Sequence, residues 1–237
     1  MIDPEQRALQ LAQEHPGSSG LLQFAAGLLK AQAEVRAVEL PAVAAASRPV
    51  LEYCVKKGPT ELSADARSAL EGGFDQRVRA YWETGEFDYL ARAALQPYAR
   101  MLRETGQSPE RGVSGSCVFC GSGAWISSRR IPPGPGTGEG AVRMLHCSLC
   151  AFSWQVGRIR CPSCGEENPE KLPSFTAPQH LGVRVEACES CKSYVKSIDL
   201  SLDLRRIPEI DDLVSLSMDL WAGEQGYQRL EPGLAGL

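Results

Sequence analysis

Eight of the nine cysteines in this 237-residue chain fall into four Cys-x-x-Cys pairs: Cys117/Cys120, Cys147/Cys150, Cys161/Cys164 and Cys188/Cys191. A Cys-x-x-Cys turn aims two thiolates at one point. Two such turns supply the tetrahedral four-sulfur cage of structural zinc or of a single rubredoxin-type iron. Thirty positions separate Cys117 from Cys147, and 27 separate Cys161 from Cys188. Each interval holds a loop and a strand, and each second pair is followed by a further strand, so the run reads as a repeated ribbon unit. The repeat assigns one metal ion, iron or zinc, to Cys117, Cys120, Cys147 and Cys150, and another to Cys161, Cys164, Cys188 and Cys191. A crossed arrangement, first pair with third and second with fourth, stays open.

Other chemistry fits these residues less well. A redox dithiol follows a strand and opens a helix, where the dipole lowers a thiol pKa. Four pairs embedded among strands do not match that. A catalytic zinc keeps an open position and usually mixes in histidine or carboxylate. His146 precedes Cys147 and is expected to point away from it. His15 and His180 read as surface residues, and Cys54, beside Tyr53 and Val55, as a buried apolar one.

The elements that must carry the turns change character along the chain. In residues 1–110, Leu21, Phe24, Ala25, Leu28, Ala31 and Val35 recur at helical spacing as one apolar face. Residues 5–15 read as a shorter helix stopped by Pro16-Gly17, and 64–83 as one helix carrying Gly72-Gly73. Residues 88–103 form another, with Pro97 as a kink. After a linker at 105–109, short strands are expected at 124–127, 141–146, 151–156, 183–186 and 193–198, with a Pro/Gly loop at 131–140. A last helix, capped by Asp211 or Asp212, presents Leu213, Leu216, Leu220 and Trp221 and closes at Gly223 and Gly226. The expected fold is α+β: a helical domain at 1–110, metal-ribbon lobes at 111–158 and 159–205, and a C-terminal helix and tail at 206–237. Ribbon lobes of about 45 residues seldom hold together on apolar burial alone, so the metals are expected to be structural.

Charge narrows the partners. The net charge is −4, and 112–200 carries nine Lys or Arg against seven Asp or Glu, no field for a nucleic-acid backbone. Arg143, Arg158, Arg160 and Arg184, beside the knuckles, read as a solvated strand face. No window approaches the roughly 20 apolar residues of a membrane span. The first residues lack a basic-then-apolar leader, which places the thiols in reducing cytosol, where paired cysteines signal metal rather than disulfides.

Specific runs resemble one family. Leu145-His146-Cys147-Ser148-Leu149-Cys150, Trp154, and Arg158-Ile159-Arg160-Cys161-Pro162-Ser163-Cys164-Gly165 are similar to the formate dehydrogenase accessory protein FdhE family. So are the stretch Glu186 through Lys196, the tail Asp212-Leu213 through Asp219-Leu220 with Gly226-Tyr227, Ala94-Leu95-Gln96-Pro97-Tyr98, and His15-Pro16. The resemblance implies a cytoplasmic, non-enzymatic assembly or maturation factor that binds the formate dehydrogenase catalytic subunit. It also implies paired rubredoxin-like lobes beside a helical domain, with the eight paired cysteines as ligands. A rubredoxin-like electron carrier or redox sensor is the alternative. Two departures stand out: the N-terminus reads as shorter than in the family, without the extended segment before the first helix. The glycine that follows a knuckle is present after Cys120 and Cys164, but Ala151 and Lys192 follow the other two pairs.

Overall fold

The structure, a computed structural model, describes residues 3–107, 117–131 and 141–236. Residues 108–109 of the expected linker and 132–140 of the Pro/Gly loop lie outside them. The N-terminal half is helical: α1 (Pro4–Glu14), α2 (Ser19–Ala33), a short α3 (Val43–Ala46), α4 (Arg48–Lys57), α5 (Thr60–Glu71), α6 (Phe74–Thr84) and α7 (Tyr89–Glu104). Asp3 caps α1 by accepting from the Glu5 N–H, and Asp88 caps α7 by accepting from the Ala91 N–H. The single helix expected at 64–83 is two. The Gly72-Gly73 pair breaks it, and Gly73 takes a left-handed φ of 76° that turns α6 away from α5.

Pro97 sits inside α7 without ending it. Proline removes the N–H that would bond the Ala93 carbonyl. A neighbour replaces it: Gln32 Nε2 of α2 donates to Ala93 O at 2.7 Å and to Gln96 Oε1 at 2.9 Å, and both glutamines are buried. Gln32→Leu should therefore destabilise the protein by about 1–3 kcal/mol, the cost of orphaning buried acceptors. Equilibrium denaturation measures it; a cost below about 0.5 kcal/mol would mean that water substitutes for the amide.

The second half is one sheet. Strands β1 (Ala124–Arg130), β2 (Val142–Cys147), β3 (Ser153–Val156), β4 (Ser174–Thr176), β5 (Val183–Ala187) and β6 (Ser193–Asp199) stand in the order β3-β2-β1-β6-β5-β4. The two ribbons, β1-β2-β3 and β4-β5-β6, are antiparallel within themselves. They join where β1 runs parallel to β6, Ser127 opposite Ser197. The other half of that β6 edge pairs with β7 (Gln228–Arg229), which follows α8 (Pro208–Asp211) and α9 (Leu216–Glu224).

Two apolar clusters hold these layers together. One merges Leu51, Phe74 and Leu95 of the helices with Leu149 and the first four cysteines. The other merges Leu11 and Leu22 of α1 and α2 with Val185 and Ile198 of the sheet and Leu213 and Met218 of the C-terminal segment.

The C-terminal helix departs from expectation. Asp211 and Asp212 do not cap it; both are buried, where guanidinium and ammonium groups are stronger partners than a helix end. Asp211 receives Arg7 Nε at 2.9 Å, tying α8 to α1. Asp212 lies 2.8 Å from Lys196 Nζ and 3.0 Å from Arg229 Nη2. Leu220, expected inward, is 60% exposed, and Met218, Asp219 and Ala222 face the core instead. The reason is Asp219: its carboxylate reaches Lys196 and Arg229 in the interior and so sets the helix's rotation.

Candidate metal centres

Each Cys-x-x-Cys turn is the same backbone device used four times. The first cysteine's N–H donates to the carbonyl five residues on: Cys117 to Ser122, Cys147 to Phe152, Cys161 to Glu166 and Cys188 to Ser193, at 2.8–3.0 Å. The residue after the second cysteine reverses the chain with a left-handed φ, 73° at Gly121 and 79° at Gly165, but also 54° at Ala151 and 56° at Lys192. The sequence departs from glycine at those two knuckles; the backbone does not. A side chain in that region carries strain of roughly 1–2 kcal/mol, partly offset by the flexibility glycine adds to the unfolded chain. Ala151→Gly is thus expected to stabilise the protein by about 0.5–1 kcal/mol, read as a shift in the denaturation midpoint at unchanged metal content. A destabilised variant would mean that the Ala151 methyl packs better than it strains.

The turns converge in two groups, Cys117, Cys120, Cys147 and Cys150, and Cys161, Cys164, Cys188 and Cys191, the sulfurs of each lying within 4.8 Å of one another. Close Sγ–Sγ separations are 3.8 Å for Cys117–Cys150 and 3.4 Å for Cys120–Cys147 in the first group. In the second they are 3.7 Å for both Cys161–Cys191 and Cys164–Cys188. A disulfide needs about 2.05 Å. A tetrahedron with metal–sulfur bonds of about 2.3 Å has edges of about 3.8 Å. The spacing and the all-sulfur donor set fit one zinc or iron ion per group. Such an ion supplies a fixed four-way cross-link. The crossed arrangement is not what the fold brings together.

Protonation follows from crowding. Hydrogen bonds with Cys117 and Cys120 hold the Cys147 thiol well above its ordinary value, while those from Cys117 and Cys147 draw Cys120 below it. The four sulfurs share protons, so a metal entering the group must displace them. At the second group burial pushes Cys188 up to about 12, whereas Cys191 is drawn down to about 6: burial opposes, and the hydrogen bonds from the Ser193 hydroxyl at 2.9 Å, the Ser193 backbone and the Cys164 and Cys188 thiols together outweigh it.

The two groups differ in setting. All four cysteines of the first are buried in the helix–sheet core, where Gln96 Nε2 donates to Ser148 O at 2.9 Å and Arg103 Nη1 to Ala151 O at 2.8 Å. Helix α7 thereby grips the second knuckle. The Gln32–Gln96–Ser148 relay could not be read from sequence, because its members lie far apart in the chain. In the second group Cys164 and Cys191 are exposed. Its braces lie toward the surface: Ser190 Oγ on Glu166 Oε2 at 2.6 Å, Glu189 bonded by Tyr227 and Lys192, and Gln228 N on Lys192 O at 2.8 Å.

The remaining candidate residues find other roles. His146 turns from the cage: Nε2 lies 2.8 Å from Ser128 Oγ and Nδ1 3.1 Å from Glu209 Oε1. His180 meets Ser217 Oγ at 2.8 Å. Cys54 is fully buried, and burial pushes its thiol up to about 12. Arg143 is not on a solvated face. It is 3% exposed and lies 2.7 Å from Glu186 Oε2, because β2 points it inward at the junction of the two ribbons.

Paired four-thiol cages on zinc-ribbon-like knuckles, set in one sheet and backed by a helical layer, define a double cysteine-knuckle protein with two groups suited to a metal ion. Residues 159–234 match the family described as FdhE, C-terminal domain. The chain is 31% identical over 164 residues to the FdhE homologue of Aquifex aeolicus, an alignment covering 67% of this chain and 56% of that protein. With the FdhE homologue of Pseudomonas aeruginosa it shares 30% identity over 209 residues, covering 78% and 65%. The chain thus spans between about half and two thirds of the length of these curated relatives. The crystal structure of the FdhE protein from Pseudomonas aeruginosa superposes with a TM-score of 0.70 at 25% identity, over 98% of this chain and 93% of that one. The chain belongs to the FdhE family. No helix among the described residues is long and apolar enough to cross a membrane.

Proposed function

We propose that this protein is a non-enzymatic accessory factor for formate dehydrogenase, binding the catalytic subunit in the cytoplasm during its assembly or maturation. Each four-cysteine group holds one metal ion, iron or zinc, through Cys117, Cys120, Cys147 and Cys150 and through Cys161, Cys164, Cys188 and Cys191. The observation that carries the reading is the convergence of eight thiols into two cages within a chain of the FdhE family. Sulfur-only cages have no open coordination position for substrate, which suits a rigid binding surface better than a catalytic metal.

The test is anaerobic purification of the tagged protein from a formate-respiring host, with elemental analysis and identification of bound proteins. Two metal equivalents and a co-purifying formate dehydrogenase catalytic subunit are expected. Absence of that subunit, together with full formate dehydrogenase activity in a strain lacking the protein, would sink the reading. Exposure of Cys164 and Cys191 favours one alternative, a rubredoxin-like electron carrier or redox sensor at the second cage. That reading requires iron, visible absorption and a reversible one-electron couple; a colourless, zinc-only protein excludes it.

A further inference from the structure

The junction of the two ribbons contains a cleft that the metal centres do not use. Four guanidinium groups line it, those of Arg129, Arg143, Arg158 and Arg160, and Glu186 is the single carboxylate among its lining residues. Glu186 is held from two sides: Arg129 Nε and Nη2 donate to Oε1 at 3.0 and 2.5 Å, and Arg143 Nη2 stands 2.7 Å from Oε2. That last contact is an ion pair without a directed hydrogen bond, so Glu186 Oε2 is a buried acceptor with no donor aimed at it. Arg143 spends Nη1 on the Arg160 carbonyl at 2.7 Å, while its Nε is a buried donor with no acceptor. Arg160 reaches Glu167 only at the solvent edge, where its side chain is 54% exposed. Arg158 is exposed, with no ion pair among the described residues.

Buried polar groups left without partners mark a missing one. Here the missing partner must accept from guanidinium and donate to carboxylate. The cleft holds about 60 Å³. A water needs about 10–15 Å³ on the same measure, so a tetrahedral oxyanion has room. Arginine forks match such oxygens in pairs. Glu186 then selects among oxyanions. Phosphate at neutral pH keeps a P–OH that donates to Oε2, whereas sulfate has only acceptors and would face the carboxylate unpaired.

We propose that this cleft binds a phosphate group, through the arginines as donors and Glu186 as the acceptor of its P–OH. Cys161 and Cys188 border the same cleft, and a loaded four-thiolate cage is itself anionic. The rival role for the arginines is therefore to neutralise the second cage, which leaves no affinity for a further anion.

Calorimetric titration of the metal-loaded full chain decides between them, with sodium phosphate, sulfate and chloride at matched ionic strength. Saturable one-to-one phosphate binding is expected, with sulfate weaker by about tenfold or more, the discrimination a charged hydrogen bond gives. Arg158→Ala, which breaks no side-chain hydrogen bond or ion pair among the described residues, should weaken phosphate about tenfold at unchanged metal content and circular dichroism. Glu186→Gln should bring phosphate and sulfate close to parity. Glycerol 3-phosphate separates the sources: tighter binding than free phosphate marks the end of a larger molecule, weaker binding marks the free anion. Heats no larger than those of chloride, equal affinity for phosphate and sulfate in the unaltered protein, or native phosphate affinity in the Arg158 variant would each overturn the proposal.

Discussion

Serine in place of Cys147 is expected to abolish the fold of the sheet half, whereas serine in place of Cys164 should cost the second cage its metal and spare the first. The difference lies in what each cage supports. Cys147 is fully buried in the cluster that joins helices to sheet, and its knuckle is gripped by Gln96 and Arg103. A structural four-thiolate ion contributes on the order of 10–16 kcal/mol of apparent binding energy, which becomes folding energy. That is as large as the whole stability of an ordinary domain, about 5–15 kcal/mol. Cys164 is exposed, so solvent and chelators reach it. In the Cys147 variant, near-ultraviolet dichroism and metal content should both collapse. The Cys164 variant should retain one metal equivalent and a cooperative melt. A chelator added to the native protein should remove its ions in two phases, the faster leaving folded protein with one ion. Loss of both ions in a single phase would show that burial does not set their release.

The cysteine pairs were legible because residue type and spacing encode the chemistry directly. The strands beside them were legible through alternation: β5 alternates buried and half-buried positions, and β2 does the same. What sequence hid was whatever depends on two distant segments meeting. The parallel join of β1 to β6 links strands separated by three knuckles, and no local pattern announces it. Arg143 looked like surface because arginine usually is; its burial follows from Glu186 arriving on β5, from beyond the third knuckle. Asp212 followed the residue preferences of a helix cap, but Lys196 and Arg229 claimed it. Pro97 read as a kink because the glutamine that replaces its lost hydrogen bond lies on another helix. At Ala151 and Lys192 the residue types concealed a backbone shape that their position in the repeat predicts.

The second large effect concerns those buried charges. Lys196 is fully buried on the strand that joins the ribbons, 2.8 Å from Asp212 and 2.5 Å from Asp219. Arg229 meets the same two carboxylates at 3.0 Å, and Tyr194 donates to Asp219 at 2.9 Å. Two cations and two anions make a neutral set that fastens α9 and β7 to the sheet. Removing one member leaves a net charge in the interior, so Lys196→Met should cost about 3–5 kcal/mol. Adding Asp212→Asn restores neutrality and should recover part of it, a coupling of about 1–3 kcal/mol in a double-mutant cycle. The sign of the pH dependence gives a second check. Burial pushes the Asp212 carboxyl up, but Arg229 and Lys196 outweigh it and hold it below its ordinary 3.8. A depressed carboxylate stabilises the fold above that ordinary value, and the contribution is lost as pH falls through the folded one. Without Lys196 the balance tilts toward burial, the folded carboxyl rises, and protonation relieves the variant first. The stability gap between native protein and Lys196→Met should accordingly narrow as pH is lowered from 7 toward 5. A gap that stays constant across that range would mean that the cost is lost packing of the lysine stem rather than an uncompensated buried charge.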